Sequence, residues 1–356
     1  MNKETLKDLL TTSRKWTESD EHILQKPYLH IAKQEGKKFR SKLIETFAIF
    51  YNMPKQDIHY LQKIIEILHT ASLMIDDIED NSLMRRGVKT SHLVYGIPMT
   101  LNSANYMYFV AMSYVKELGN ALPSTQLNDE TDKTQIGLME IFQEELINLH
   151  RGQGLELYWR DTNTIPTIDM YFDMVANKTG GLFRLAIRMM EFLANYYEDK
   201  KDNKDQKFNL ISNSLVPLCN MLGVIYQIRD DYLNLVDDTM QQKKGFAEDI
   251  TEGKLSFPII HALAQEANLI SIDSTHKPFL KNTIFSRTDN IDEKKTFIKI
   301  LQDETNSLSY TSDTLKNIIS LLNEGNYYPI PILEDCTLDR TKIDILKAMV
   351  EKLAAI

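Results

Sequence analysis

Two acidic clusters in this sequence could bind a metal ion. The first, Asp76-Asp77-Ile78-Glu79-Asp80, places four acids within five residues. On a helix, positions i and i+4 are neighbours, so Asp76 and Asp80 stack one turn apart. At about 5 Å and an effective dielectric of about 20, each close pair costs roughly 3 kcal/mol. Something positive must offset that repulsion. Magnesium fits, because it takes carboxylate oxygens and keeps other positions for water or a phosphate. The second cluster, Gln227-Ile228-Arg229-Asp230-Asp231-Tyr232-Leu233-Asn234, sets Gln227 one turn ahead of its aspartates and Asn234 one turn behind, and Asp249 follows in a short stretch of its own. Either cluster alone reads as a solvated helix end.

Cations accompany both clusters. Arg85-Arg86-Gly87 follows the first, and Lys244-Gly245 and Gly253-Lys254 follow the second. Further basic groups stand at Lys37, Lys38 and Arg40 and in Lys178-Thr179-Gly180-Gly181. Guanidinium groups bind phosphate oxygens as forks and ammonium groups bind them as point charges. Acids that hold magnesium together with cations that hold phosphate describe a diphosphate site. His69 lies seven residues before Asp76 and so on the same helical face. A satisfied core histidine and a phosphate ligand both remain open for it.

The elements that position these groups are helical. Thirteen glycines and ten prolines in 356 residues are few for the turns of a loop-rich β architecture. Ile64, Ile65, Ile67, Leu68, Ala71, Leu73, Met74 and Ile75 make the helix before the first cluster apolar on nearly every side, which suits the middle of a bundle. Residues 138–157, 182–193, 215–235 and 259–269 also carry helical periodicity. The reading is a single all-α domain over residues 1–356, with polar surface loops at 119–135 and 198–207. A net charge of −9 argues against a nucleic-acid partner. Two cysteines, Cys219 and Cys336, suit a reducing compartment. The first residues carry no apolar signal core and no run is long enough for a membrane span, so a soluble, cytoplasmic protein is expected.

Taken in order from residue 22 to 265, Gly36-Lys37-x-x-Arg40, His69, Asp76-Asp77-x-x-Asp80, Arg85-Arg86-Gly87, Lys178-Thr179, Gln227-x-x-Asp230-Asp231 and Lys244-Gly245…Asp249…Gly253-Lys254 resemble the trans-prenyltransferase family. The match is nearest to eukaryotic geranylgeranyl diphosphate synthases. The resemblance implies a bundle of mostly antiparallel helices around a deep central cavity, and a homodimer. It implies that Asp76, Asp77, Asp80, Asp230 and Asp231 gather magnesium ions, three per site, around an allylic diphosphate. Arg85, Lys178, Thr179, Gln227, Asn234, Lys244 and Lys254 would bind that diphosphate. Lys37, Arg40, His69 and Arg86 would hold isopentenyl diphosphate. Asn234 stands where many relatives place a third aspartate; it would touch an ion's shell through water or leave metal binding to Asp230 and Asp231.

Chain length is the remaining expectation. The product would grow into the bundle by about 5 Å per isoprene unit, roughly one helix pitch. Ala71 and Ser72, one turn before Asp76, are small where farnesyl-making relatives often carry a bulky aromatic. Tyr108, Phe109 and His150 are candidates for a deeper floor, with ordinary core packing as the alternative. The rival readings are a farnesyl diphosphate synthase and a non-catalytic partner subunit. A class I terpene cyclase would need a Ser and Glu spacing that the second cluster lacks.

Overall fold

The structure, a computed structural model, describes residues 3, 7, 10, 16–34, 39–122, 129–199, 214–237, 245–324 and 340–355. Among them, fifteen helices and one two-stranded hairpin make up the regular structure. The central element is α3 (Lys55–Glu79), which follows α1 (Glu18–Ala32) and α2 (Phe39–Phe50). At 25 residues, α3 extends about 37 Å at 1.5 Å rise per residue. Leu61, Ile64, Leu68, Ala71 and Met74 are fully buried along it. Its acidic end therefore emerges from an apolar core.

After α3 comes a tight hairpin of β1 (Met84–Arg85) and β2 (Val88–Lys89), paired antiparallel. Its two turn residues, Arg86 and Gly87, both have positive φ, at 53° and 80°, which is the geometry of a primed hairpin turn. Holding a non-glycine residue there is costly and typical of functional positions. The turn sends Arg85 back to the end of α3 and Arg86 the other way, to the carbonyls of Ile31 and Gln34.

The bundle continues with α4 (Ser91–Tyr95), α5 (Ile97–Ala121), α6 (Asp129–Thr162), α7 (Ile168–Lys178), α8 (Gly180–Asp199) and α9 (Val216–Val236). Shorter elements follow: α10 (Glu248–Glu252), α11 (Phe257–Ile272), α12 (Phe279–Ser286), α13 (Ile291–Asp303), α14 (Ser307–Glu324) and α15 (Arg340–Ala354). α3 packs chiefly on α5, α6 on α7 and α8, and α9 on α8. The buried Glu145–Arg184 pair joins α6 to α8, and Arg184 also donates to the Ala176 carbonyl and to Asn220 Oδ1.

Of the polar stretch 119–135, read from composition as a surface loop, the described residues 119–121 end α5 and 129–135 begin α6. Gly119 closes α5 close against Gln135 near the start of α6, and residues 123–128 lie outside the described residues. Polarity alone does not forbid helix, and Asp129 and Glu130 are residue types that favour a first turn. Of the second stretch, 200–207 lies outside the described residues, while 198–199 end α8.

Two glycines let helices approach where the site is built. A Cβ on Gly152 of α6 would lie 2.4 Å from the Lys178 backbone nitrogen, and one on Gly223 of α9 would lie 2.8 Å from Gly180 Cα. Both obstacles are backbone and cannot rotate away. These contacts seat the junction that carries Lys178 and Thr179. Gly152→Ala is expected to cost about 1–3 kcal/mol of stability through this overpacking, read as a lowered Tm; an unchanged Tm would contradict so close an approach.

Candidate active site

One cavity of about 710 Å³ runs into the bundle beside the acidic end of α3. Asp76 and Asp230 both line it, so the two clusters face a common space. Its wall has an acidic pole, a cationic pole and an apolar extension.

At the acidic pole, α3 supplies Asp76, Glu79 and Asp80, α6 supplies Glu156, α9 supplies Asp230, and α10 supplies Asp249 and Glu252. Fixed cations offset part of this charge. Arg85 Nη2 stands 3.3 Å and Lys178 Nζ 3.6 Å from Asp76. Lys178 also pairs with Glu156. Lys254 Nζ lies 3.1 Å from Asp231 and 3.8 Å from Asp249. Burial alone would lower the pKa of Lys178, but Glu156 and Asp76 hold it above the ordinary lysine value. Compensation remains incomplete. Burial, and then the Asp76 charge, push the Asp80 carboxyl up to about 7. Burial with Asp80 and Asp249 raises Glu252 well above the ordinary range, and Glu79 is also raised, by burial first.

Among the described residues, no three acidic, histidine or cysteine groups are already gathered as a chelating set. The donor set nevertheless fits a hard divalent cation. Crowded carboxylate oxygens in a half-buried wall, with the Asp80 carboxyl raised by burial and then by Asp76, gain from an ion that replaces the missing positive charge.

Each aspartate pair is divided by helix geometry. Asp77 and Asp231 are 1% and 0% exposed and lie behind the wall. Arg85 Nε donates to Asp77 Oδ1 at 2.6 Å. Asp231 accepts from Tyr171 Oη, Gln227 Nε2, Lys254 Nζ and the Phe257 amide, which occupies both of its oxygens. Thr179 Oγ1 donates to Gln227 Oε1 at 2.6 Å, extending the chain from Asp231 to the cavity surface. Asn234 lines the cavity too, but its Oδ1 accepts the Asp249 amide at 3.1 Å and so anchors the start of α10.

The cationic pole is built from Arg40 on α2, His69 on α3 and Arg86 in the hairpin turn. Arg40 lies over Phe183 and Tyr226, 5.6 and 5.5 Å from the ring centroids. Its Nη1 meets His69 Nε2 at 2.9 Å. Arginine carries only donors, so Nε2 accepts and the ring proton sits on Nδ1. Burial and the Arg40 charge press the His69 pKa well below its usual value, so the ring is neutral. The Arg86 pKa is lowered as well, by burial first and then by Arg40 and Arg85. These cations crowd one another in a way that an anion would relieve. Lys37 and Lys244 lie outside the described residues.

The apolar extension is lined by Leu73, Ile75, Tyr108, Leu149 and Leu182, with Ser72 and His150. The Tyr108 and His150 rings are 5.7 Å apart. Two sequence expectations are corrected here. Phe109 is 64% exposed on the outer face of α5, and Ala71 is fully buried outside the cavity wall. Adjacent helical residues point about 100° apart, so Tyr108 and Ser72 meet the cavity while Phe109 and Ala71 do not.

Several wall residues escaped the sequence reading: Gln153, Glu156 and Arg160 on α6, Tyr226 on α9 and Glu252 on α10. Gln153 donates to Glu79 and Asp76 at 2.7 and 3.3 Å. The first three share a face at spacings of three and four, which is the sequence signal that marks them.

The family model described as polyprenyl synthetase matches residues 21–301. The chain is 46% identical over 323 residues to a geranylgeranyl pyrophosphate synthase of Eremothecium gossypii, covering 91% of this chain and 94% of the relative. It is 41% identical over 298 residues to one of Mucor circinelloides, covering 84% and 86% respectively. It is 40% identical over 308 residues to geranylgeranyl pyrophosphate synthase 1 of Zymoseptoria tritici, covering 86% and 81%. With its acidic and cationic poles facing one deep cavity, the chain belongs to the polyprenyl synthetase family.

Proposed function

We propose that the chain is a geranylgeranyl diphosphate synthase, which joins isopentenyl diphosphate head-to-tail to an allylic diphosphate such as farnesyl diphosphate. The observation that carries this reading is the division of one cavity into an acidic pole, a separate cationic pole and an apolar extension. An allylic diphosphate with magnesium suits the acidic pole, and isopentenyl diphosphate suits the cationic one. The apolar extension suits a growing hydrocarbon tail.

Magnesium would be held by Asp76, Asp80 and Asp230, with Glu156 beside them, and when bound it would stabilise negative charge developing on the departing pyrophosphate. Three ions per site are the number the acidic pole is proposed to take. Asp77 and Asp231 then act from behind: Asp77 fixes Arg85, and Asp231 fixes Gln227 and Lys254. Arg85, Lys178 and Lys254 turn their charges toward the same pyrophosphate, with Thr179 and Gln227 as polar contacts. As the allylic C–O bond ionises, the double bond of isopentenyl diphosphate attacks the allylic cation. Arg40, Arg86 and neutral His69 hold that substrate in place. The apolar wall keeps water from quenching the cation, and the proton released at the end passes to pyrophosphate. No protein nucleophile takes part.

A homodimer is also proposed. It is supported by apolar side chains exposed on the outer faces of α5 and α6, Phe109, Met112, Leu155 and Tyr158 among them; sedimentation of the purified chain would measure it. No helix among the described residues is long and apolar enough to cross a membrane. A cytoplasmic setting is proposed on the buried, free Cys219, and cell fractionation would check it.

Incubation with magnesium, isopentenyl diphosphate and farnesyl diphosphate should yield geranylgeranyl diphosphate; absence of any elongated product would refute the assignment. Asp76→Ala and Asp230→Ala should each lower kcat by roughly a hundredfold or more while helicity is retained, and near-normal turnover in either would contradict the metal roles. Magnesium competes with a proton at Asp80, whose pKa of about 7 is raised by burial and Asp76. Magnesium affinity, measured calorimetrically, should therefore rise as the pH climbs from 6 to 8, by up to about tenfold per unit below the pKa. A pH-independent affinity would remove Asp80 from the ligand set. Tyr108→Ala or His150→Ala should lengthen the product, whereas Phe109→Ala should leave its length unchanged; identical chromatograms for all three would dismiss the floor.

A further inference from the structure

Arg160 was not among the residues expected to serve the site, yet it reaches the last acid of the first cluster. Its Nη1 donates to Asp80 Oδ1 at 2.6 Å and its Nη2 to the Glu79 carbonyl at 3.2 Å. The second bond satisfies one of the carbonyls left open at the C-terminus of α3. The guanidinium side chain is 9% exposed and the Asp80 side chain 16%, so this is no solvated surface pair. Of the two Asp80 carboxyl oxygens, only Oδ1 is engaged by a hydrogen bond among the described residues, while the carboxyl lines the cavity.

The contacts continue outward. Arg160 Nε donates to Asp161 Oδ1 at 3.1 Å, and the same oxygen accepts from Arg287 Nη2 at 2.8 Å. Arg287 Nη2 also reaches the Arg160 carbonyl at 3.4 Å. Arg287 caps α12 with a φ of 52°, and its side chain lies over Gly253, where an added Cβ would sit 2.9 Å from Arg287 Cγ. Gly253 itself has a φ of 71° and stands between Glu252 and Lys254. A continuous line of contacts thus runs from Asp80 and Arg160 in the cavity wall, through Asp161 and Arg287 behind it, to the turn bearing the second cluster's lysine.

We propose that Arg160 is a positioning residue, aiming Asp80 at a divalent cation, and that Asp161 and Arg287 brace it so that both acidic clusters keep one spacing. The inference rests on the reading of Asp80 as a metal ligand. A cation beside a metal ligand opposes the ion by simple repulsion, yet a partner that fixes the ligand's orientation favours it. The bond to a single oxygen, backed by a backbone anchor and a brace, suits the second effect. Partners of this kind commonly change metal affinity by about tenfold to a hundredfold.

The test uses the full chain with Mn²⁺ as an ion visible to electron paramagnetic resonance, in the presence of inorganic pyrophosphate, with Tm recorded for every variant. Arg160→Met should weaken Mn²⁺ binding by about tenfold and Arg160→Lys by less. Asp161→Asn and Arg287→Met alter side chains 56% and 41% exposed, which spares the core. Each should weaken binding by about threefold, as part of the same brace. Unchanged or tighter binding in Arg160→Met overturns the proposal. If that variant does not fold, unchanged binding in both Asp161→Asn and Arg287→Met overturns it. Asp80→Asn separates the premise: if it binds Mn²⁺ as tightly as the unsubstituted chain, the metal reading of Asp80 fails and this inference with it. If Asp80→Asn weakens binding and the brace variants do not, only the brace is wrong.

Discussion

Mutual repulsion of carboxylates around one half-buried cavity is the constraint on which the structure depends. Asp76, Glu79, Asp80, Glu156, Asp230, Asp249 and Glu252 come from four helices and meet beside apolar walls. Low local polarizability strengthens their repulsion and, equally, their attraction to Arg85, Arg160, Lys178 and Lys254. The fold must therefore deliver acids and cations together. The primed hairpin delivers Arg85, the glycine-mediated approach of α6 to α7 delivers Lys178, and the turn after α10 delivers Lys254. Burial, and then the Asp76 charge that these cations only partly offset, raise the pKa of Asp80.

Paired residues in the motifs have separate work because helices and turns point neighbours apart. Asp76 and Asp230 face the cavity, whereas Asp77 and Asp231 face the scaffold. Four donors converge on Asp231, one of them the Phe257 amide at the start of α11, so this carboxylate fastens α7, α9 and α11 around the site. Arg85 and Arg86 diverge in the same manner, one serving the acidic pole and the other the cationic pole. The neutral His69 lies beside Arg40 at the cationic pole.

Much of this was legible in the sequence. The acidic clusters, the cations after each of them and the apolar helix before Asp76 could all be read directly, because period and spacing are local properties. All-α architecture followed from scarce glycine and proline and from the helical periods of α3, α6, α8 and α9. The same locality explains the failures. Polar composition at 119–135 suggested a loop, although its described residues 119–121 and 129–135 belong to α5 and α6. Phe109 was grouped with Tyr108 as a bulky neighbour, although one helical step turns it to the outer face.

The sequence alone determined which chemistry was available: oxygen ligands for a divalent ion, cations for phosphate, and apolar helices to enclose a hydrocarbon. Only the tertiary structure decided which member of each pair meets the cavity, that Gln153, Glu156 and Arg160 join from α6, and that Asn234 anchors α10. The physical reason is that side-chain direction depends on helix phase and on how helices dock. Asp80 and Arg160 touch across eighty positions of chain, and no local spacing encodes so distant a contact.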